Sequence, residues 1–296
     1  MTDTLPPRIL LATDGSEDAA LAARAATDLV KITGSELHVI HAWRIPEMVS
    51  AVDLPVERFE LDARRVLDKE VESARSKGVE VAEAHLSRDH PVDAVLDLAE
   101  ELEAVLIVLG SRGVGPVDRL VMGSVSEGVV HHARFPVLIM RGGDRAWPPE
   151  RIVFADDGSE DARRAGDLAA TIGRLFGARG ILVRAYPKSP EVDSGWRQPE
   201  PQIIDEALSH EEQALEERAR GLRRVLGDRL AVRTEDGHAS TAILRILEEG
   251  AEEESTLVAV GSRGLGTVRR LMLGSVSTEV LRAARGPVLV YAHPHA

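Results

Sequence analysis

Two periodicities alternate along this chain. Short apolar runs, among them Ile9 to Ala12, Leu37 to Ala42 and Ala104 to Leu109, are separated by longer stretches in which apolar residues recur at helical spacing. Leu21, Ala25, Leu29 and Ile32 share one helical face. Ala63, Leu67, Val71 and Ala74 share another, which stops near Lys77-Gly78, where glycine suits the left-handed conformation that ends a helix. Val79 to Leu86 then reads as a third strand, Val92 to Leu102 as a helix, Ser124 to Ala133 as a further helix and Pro136 to Met140 as a fifth strand. Strands this continuous in Val, Ile and Leu, each followed by a helix, predict a parallel sheet covered on both faces.

The pattern runs twice. Arg8-Ile-Leu-Leu-Ala-Thr-Asp14-Gly-Ser-Glu-Asp-Ala19 is matched by Arg151-Ile-Val-Phe-Ala-Asp-Asp157-Gly-Ser-Glu-Asp-Ala162, and strands near Ile152, Ile181, Leu230, Leu257 and Val288 continue the second copy. Asp14 and Asp157 are 143 positions apart whereas Gly110 and Gly261 are 151 apart, so the second copy holds eight extra residues between these points. The stretch from Tyr186 to Pro201, dense in Pro, Gly, Ser and Asp, is the natural loop to contain them. The copies are too long for solenoid units, which run roughly 20–50 residues. The expected organisation is two tandem α/β domains, 1–143 and 144–296, joined through the breaker-rich Gly142 to Pro149. Each is a doubly wound five-stranded parallel sheet, order 3-2-1-4-5, with helices on both faces. In that order strands one and four are neighbours and a ligand crevice opens beyond their carboxyl ends. Asp14 then faces the Gly110 loop across the crevice, and Asp157 faces the Gly261 loop.

A glycine spacing supplies the candidate chemistry there. Gly110-Ser-Arg-Gly113 is followed after nine residues by Gly123-Ser124, and Gly261-Ser-Arg-Gly264 after nine by Gly274-Ser275, each between an apolar run and a helix. Glycines let backbone N–H groups approach an anion, and a helix N-terminus adds orphan donors, so the spacing points to phosphate. It is neither a Walker A loop, lacking Gly-Lys-Ser/Thr, nor a dinucleotide fingerprint. Arg112 and Arg263 lie where a phosphate chain needs neutralising charge, as do Arg119, Arg269 and Arg270, although loop arginines are commonly only solvated.

Each of these residues has a plainer use. Asp14-Gly-Ser16 makes a turn and a helix cap, and Ser124 with Glu127 makes a capping box, although the second copy has Thr278 in the glutamate's place. Asp156-Asp157 is either a turn or a pair of carboxylates for Mg²⁺. His131 and His132 are adjacent on a helix, about 100° apart and poorly placed for one metal ion. His38 and His41 face opposite sides of a strand. With no His-x-x-x-His pair, no protein metal site is expected, and any Mg²⁺ arrives with a nucleotide.

Charge and composition narrow the partners. A formal net charge of −13 argues against nucleic acid or an anionic membrane, so an anionic ligand must be held locally. The absence of cysteine removes disulfides, thiolate metal sites and thiol catalysis. No apolar stretch approaches the roughly 18 residues of a membrane span, and Met1 to Pro7 lacks the regions of a signal peptide, so a cytoplasmic location is expected.

With Asp-Gly-Ser after strand one and G-x2-G-x9-G-S after strand four, the chain resembles the universal stress protein family in its nucleotide-binding branch, in both halves nearly end to end. The resemblance implies one ATP pocket per half. Asp14 and Asp157 would reach the adenosine moiety, and the backbone of Ala42 and Ala185 would meet the adenine. Gly110, Gly113, Gly123 and Ser124, with Gly261, Gly264, Gly274 and Ser275, would cradle phosphates. Val125 with Ser126, and Val276 with Ser277, would follow at the helix start. It also implies domain pairing through the fifth strand, here Val137 to Met140 and Val288 to Tyr291, made internally or in a homodimer. The expected function is an ATP-binding regulator of stress response or growth state, read by a regulatory protein partner, with no catalytic residue assigned. The alternatives are a slow ATPase or nucleotidyl-type enzyme using the same pockets, and an adaptor whose pockets stay empty.

Overall fold

The computed structural model describes residues 8–45, 56–113, 122–186, 201–249, 254–263 and 273–291, with backbone alone for 201–210. The first strand, β1 (Arg8–Ala12), leads into α1 (Glu17–Thr33), whose start and stop are both written locally. Ser16 caps it by accepting from the Ala19 N–H, Glu17 and Asp18 sit at the positive end of its dipole, and Gly34 ends it at φ 72°. The duplicate repeats every device: β6 (Arg151–Ala155), a Ser159 cap, α5 (Glu160–Phe176) and Gly177 at φ 75°.

The remaining elements of the first half are β2 (Glu36–Ala42), α2 (Val56–Ser76), β3 (Val81–Ser87), α3 (Pro91–Glu101), β4 (Leu106–Gly110), α4 (Ser124–His132) and β5 (Val137–Met140). The second half continues with β7 (Arg179–Tyr186), α6 (Pro201–Leu226), β8 (Leu230–Asp236), α7 (Ala239–Glu248), β9 (Thr256–Gly261), α8 (Ser275–Ala283) and β10 (Val288–Tyr291). The predicted periodicity locates the strands of both halves and the helices of the first, with one local departure. Ile32, on the predicted inner face of α1, is 48% exposed, while Leu21, Ala25 and Leu29 above it are buried. On α6, Leu215, Ala219 and Leu222 are buried as sheet cover; the side chain of Leu208 lies outside the described residues.

Strand order within each half is 3-2-1-4-5, but the halves do not keep separate sheets. β5 and β10 pair antiparallel, Leu289 opposite Leu138, so all ten strands form one sheet ordered β3-β2-β1-β4-β5-β10-β9-β6-β7-β8. Two all-apolar fifth strands would otherwise be exposed edges inviting association. Val137 to Met140 are instead at most 1% exposed. The fifth-strand contact expected of the family is thus made inside one chain.

Alternate residues of the strands feed two cores. Ile9, Leu11, Leu106 and Val108 pack with α1, while Leu10, Ile107 and Leu109 pack with α3 and α4. The breaker-rich connection is packed too: Trp147 is 1% exposed and meets Phe176 edge-on at 5.1 Å. No helix among the described residues is long and apolar enough to cross a membrane.

Candidate functional site

β1 and β4 run side by side, Ala12 level with Leu109, so the chain turns after both strands meet at one end of the sheet. The turn after β1 is held by Asp14, whose Oδ1 accepts the Ser16 N–H at 3.0 Å across Gly15 at φ 78°. Ser16 donates its hydroxyl to the Arg112 carbonyl at 3.0 Å, tying cap to glycine loop. The second half builds the same junction: Asp157 accepts from Ser159 at 2.9 Å, and Ser159 donates to the Arg263 carbonyl at 3.1 Å. Turn, cap and loop tether therefore coexist in the same three residues, leaving Asp14 half-buried and Asp157 exposed at the lip.

The loop glycines do different work. A Cβ on Gly110 would come within 2.7 Å of the Ala19 nitrogen and the Asp18 carbonyl carbon, and one on Gly261 within 2.6 Å of the Ala162 nitrogen. These glycines let the first turn of α1 or α5 lie directly against the strand end. A Cβ on Gly113 would instead stand 2.5 Å from Asp14 Oδ2, at the mouth of the crevice. Gly264, with Arg119, Arg269, Arg270 and the loop expected to hold the eight extra residues, lies outside the described residues apart from its ends.

Helices α4 and α8 begin with glycine caps. Gly123 and Gly274 are the N-caps, extended in φ and ψ, and as glycines they bring no side-chain cap to the helix N-terminus. The Ser124–Glu127 capping box is thus not formed, because Ser124 is already the first helical residue. Ser124 and Ser275 are exposed, Val125 and Val276 half-buried, and Ser126 and Ser277 buried. The buried pair are braces: Ser126 donates to the Ser111 carbonyl at 2.7 Å and Ser277 to the Gly261 carbonyl at 2.6 Å. The first N–H groups of each helix thus have no acceptor from the cap residue's own side chain.

In the second half these parts enclose a cavity of about 380 Å³. Asp157, Ala185, Gly261, Arg263 and Gly274 to Ser277 line it, together with apolar Val183, Ile243, Val260 and Leu273. Ala42, the first-half counterpart of Ala185, is half-buried at the end of β2. The apolar wall was not singled out in the sequence, since Val183 and Ile243 look like ordinary core residues until strand and helix ends converge. Nor was a buried aspartate under each loop. Asp18 accepts from the Ser111 hydroxyl at 2.7 Å and takes Arg112 through Nε at 2.9 Å and Nη2 at 3.0 Å; Asp161 accepts from Ser262 at 2.7 Å. Its signal was the second aspartate of the repeated Asp-Gly-Ser-Glu-Asp. The hydrogen bonds to Asp18 hold the Arg112 guanidinium above its usual pKa range, so it stays charged at the loop.

Behind the crevice the halves diverge. Asp156 and Arg184 are a buried ion pair, with Arg184 Nε 2.9 Å from Asp156 Oδ2, Nη2 on the same oxygen and Nη1 reaching Glu211 at 2.8 Å. Asp156 is therefore engaged by its own chain, which removes the paired-carboxylate reading of Asp156-Asp157. The first half has Thr13 and His41 in these places, the His41 Nδ1–H donating to the Thr13 carbonyl at 2.7 Å. Thr13 also donates to Glu70 of α2 at 3.0 Å. Burial pushes the Glu70 carboxyl up, the threonine hydrogen bond offsetting part of it. A raised carboxyl pKa means folding favours the protonated form, a contribution present at low pH and lost as pH rises through the folded value. Glu70→Gln is accordingly expected to raise the melting temperature at pH 7, with the gain shrinking toward pH 4 in a thermal series; equal shifts at both pH values would contradict this.

Comparison with known proteins places the whole chain. The Universal stress protein family model matches residues 7–141 and again residues 149–292. A universal stress protein of Mycobacterium tuberculosis strain H37Rv is 31% identical over 301 residues, covering 95% of both chains. Another, from Thermus aquaticus, is 36% identical over 138 residues, 45% of this chain and 97% of its own length. The fold is shared with the crystal structure of a universal stress protein from Archaeoglobus fulgidus, TM-score 0.65 at 24% identity, over 98% of this chain and 99% of that one.

Proposed function

This chain belongs to the universal stress protein family, and from that membership we propose that it binds ATP at the end of the sheet in each half and acts as a nucleotide-dependent regulator. The observation that carries the reading is the 380 Å³ cavity of the second half, with an apolar wall at one side and the glycine-capped N-terminus of α8 at the other. That pairing suits a ligand with a flat apolar base and an anionic tail. Val183 and Ile243 would pack the adenine beside Ala185, and Asp157 would take the ribose hydroxyls. The N–H groups of Ser275, Val276 and Ser277 would hold phosphate oxygens, with the Arg263 side chain adding charge. In the first half Asp14, Ala42, Gly113 and Gly123 to Ser126 occupy the matching places, and Mg²⁺ would enter on the phosphates. Bound nucleotide supplies an occupancy signal, and it shifts the protein only as far as two conformers or assemblies differ in affinity for it. A partner protein that reads one of those states completes the regulator.

Ser275→Glu separates this reading from a structural role for the loop. A carboxylate at an exposed first helical position favours the helix dipole, so folding is expected to be unharmed. The same carboxylate repels a phosphate chain. ATP affinity of the second pocket is expected to fall at least about tenfold, equivalent to ~1.4 kcal/mol, with an unchanged melting temperature in calorimetry; Ser124→Glu does the same to the first pocket. Unchanged ATP affinity in both variants contradicts the assignment. Steady-state phosphate release well above background from the pure protein would favour the slow ATPase.

A further inference from the structure

His38 and His85 stand on neighbouring strands, β2 and β3, at the outer edge of the sheet. Register aligns His38 with Glu83 and Ile40 with His85, so the two histidines and Glu83 lie on one face. Nδ1 of His38 and Nε2 of His85 are 3.3 Å apart. Two imidazole nitrogens, each about 2.05 Å from a tetrahedral zinc ion, are separated by about 3.3 Å. Glu83 Oε2 is 3.9 Å from His85 Nε2, and one ligand atom from each of the three residues falls within 4.8 Å of the others. We propose that His38, Glu83 and His85 form a binding site for a divalent transition-metal ion of the zinc class, with one coordination position left for water.

Two further observations support a ligand role over a plain imidazole hydrogen bond. His38 has an 8% exposed side chain, and its Nε2 is buried with no hydrogen-bond partner among the described residues, an arrangement that costs stability in a purely structural residue. A histidine bound to metal through Nδ1 turns Nε2–H toward an outer acceptor, and Glu36 Oε2, itself held by Arg8 at 3.2 Å, stands 3.9 Å away. The duplicate supplies the control. By the shared register, its residues in these places are Ile181, Ala231 and Arg233, so the fold does not require imidazole or carboxylate there. The donor set of two imidazoles and one carboxylate suits zinc over magnesium or calcium. A search for histidine pairs along the chain overlooks it, because the ligands meet across strands 47 positions apart.

The test uses untagged full-length protein, stripped with chelator, titrated with ZnCl2 alone and, separately, MgCl2 alone. Calorimetry is expected to show one Zn²⁺ per chain and a zinc-dependent rise in melting temperature, with no response to Mg²⁺ at this site. His38→Ile, which places the duplicate's own residue, is expected to fold and to lose both signals, as is His85→Ala. Glu36→Gln is expected to weaken zinc about tenfold, as outer-shell changes do. No zinc binding by the wild-type protein, or a wild-type zinc response in His38→Ile/His85→Ala, overturns the proposal. Nucleotide is absent throughout, so neither result bears on the ATP reading.

Discussion

Arg184→Met is expected to lower the unfolding free energy by about 3–5 kcal/mol at neutral pH, the range for removing one partner of a buried ion pair. Both side chains are almost fully enclosed, Arg184 at 5% exposure and Asp156 at 4%. Removal of the guanidinium leaves the carboxylate with Arg218 at 3.9 Å, which is itself engaged with Asp167 at 2.7 Å. Urea denaturation at pH 7 reads the loss. The double variant Asp156→Thr/Arg184→Met removes both charges and is expected to recover most of the loss, because the first half serves the same positions with Thr13 and His41, joined by a hydrogen bond rather than an ion pair. A single variant within about 0.5 kcal/mol of wild type, the usual range for surface changes, would show that the pair is not what holds this end of β7.

Gly110→Ala and Gly113→Ala, three residues apart in one loop, are expected to fail in different ways. The added methyl at Gly110 meets backbone, at 2.7 Å from the first turn of α1, and neither element can give without losing the Ser16 cap or the strand pairing. Overpacking of that kind costs about 1–3 kcal/mol and sometimes more. At Gly113 the methyl meets only the Asp14 carboxylate, at Oδ2, the oxygen that does not hold the Ser16 N–H. Stability is expected to change by less than about 0.5 kcal/mol, whereas ATP affinity of the first pocket falls because Asp14 is turned from the crevice. Thermal unfolding and nucleotide titration of the two variants give opposite patterns. Equal melting temperatures for Gly110→Ala and wild type would contradict the packing role.

The fold was legible because its signals are local or repeated. Ser16 and Gly34 bracket a helix within one stretch of chain, and the second copy writes Ser159 and Gly177 at the same places. Asp14 and Gly110 could be brought together from strand order alone, since a doubly wound sheet has one place where its first and fourth strands end. What resisted reading depends on distant residues meeting. Ser124 looked like a cap because Glu127 follows at the right spacing, yet the chain enters α4 one residue earlier, at Gly123. Asp18 and Ser111 are 93 positions apart, and nothing near either announces that they pair. The Thr13 and His41 pair against Asp156 and Arg184 is visible as a sequence difference, but its meaning needs the strand register that sets each against the other. Trp147 sits among breakers, and only packing against Phe176 shows that the connection belongs to the core.

The measurement that tests the central claim most directly is isothermal titration of ATP with Mg²⁺ into the full-length protein after acid extraction has quantified any nucleotide it carries. Bound plus added adenine nucleotide reaching two per chain, with the Ser124→Glu and Ser275→Glu variants each losing one, is the predicted result. No nucleotide in the extract and no binding heat on adding ATP would contradict it.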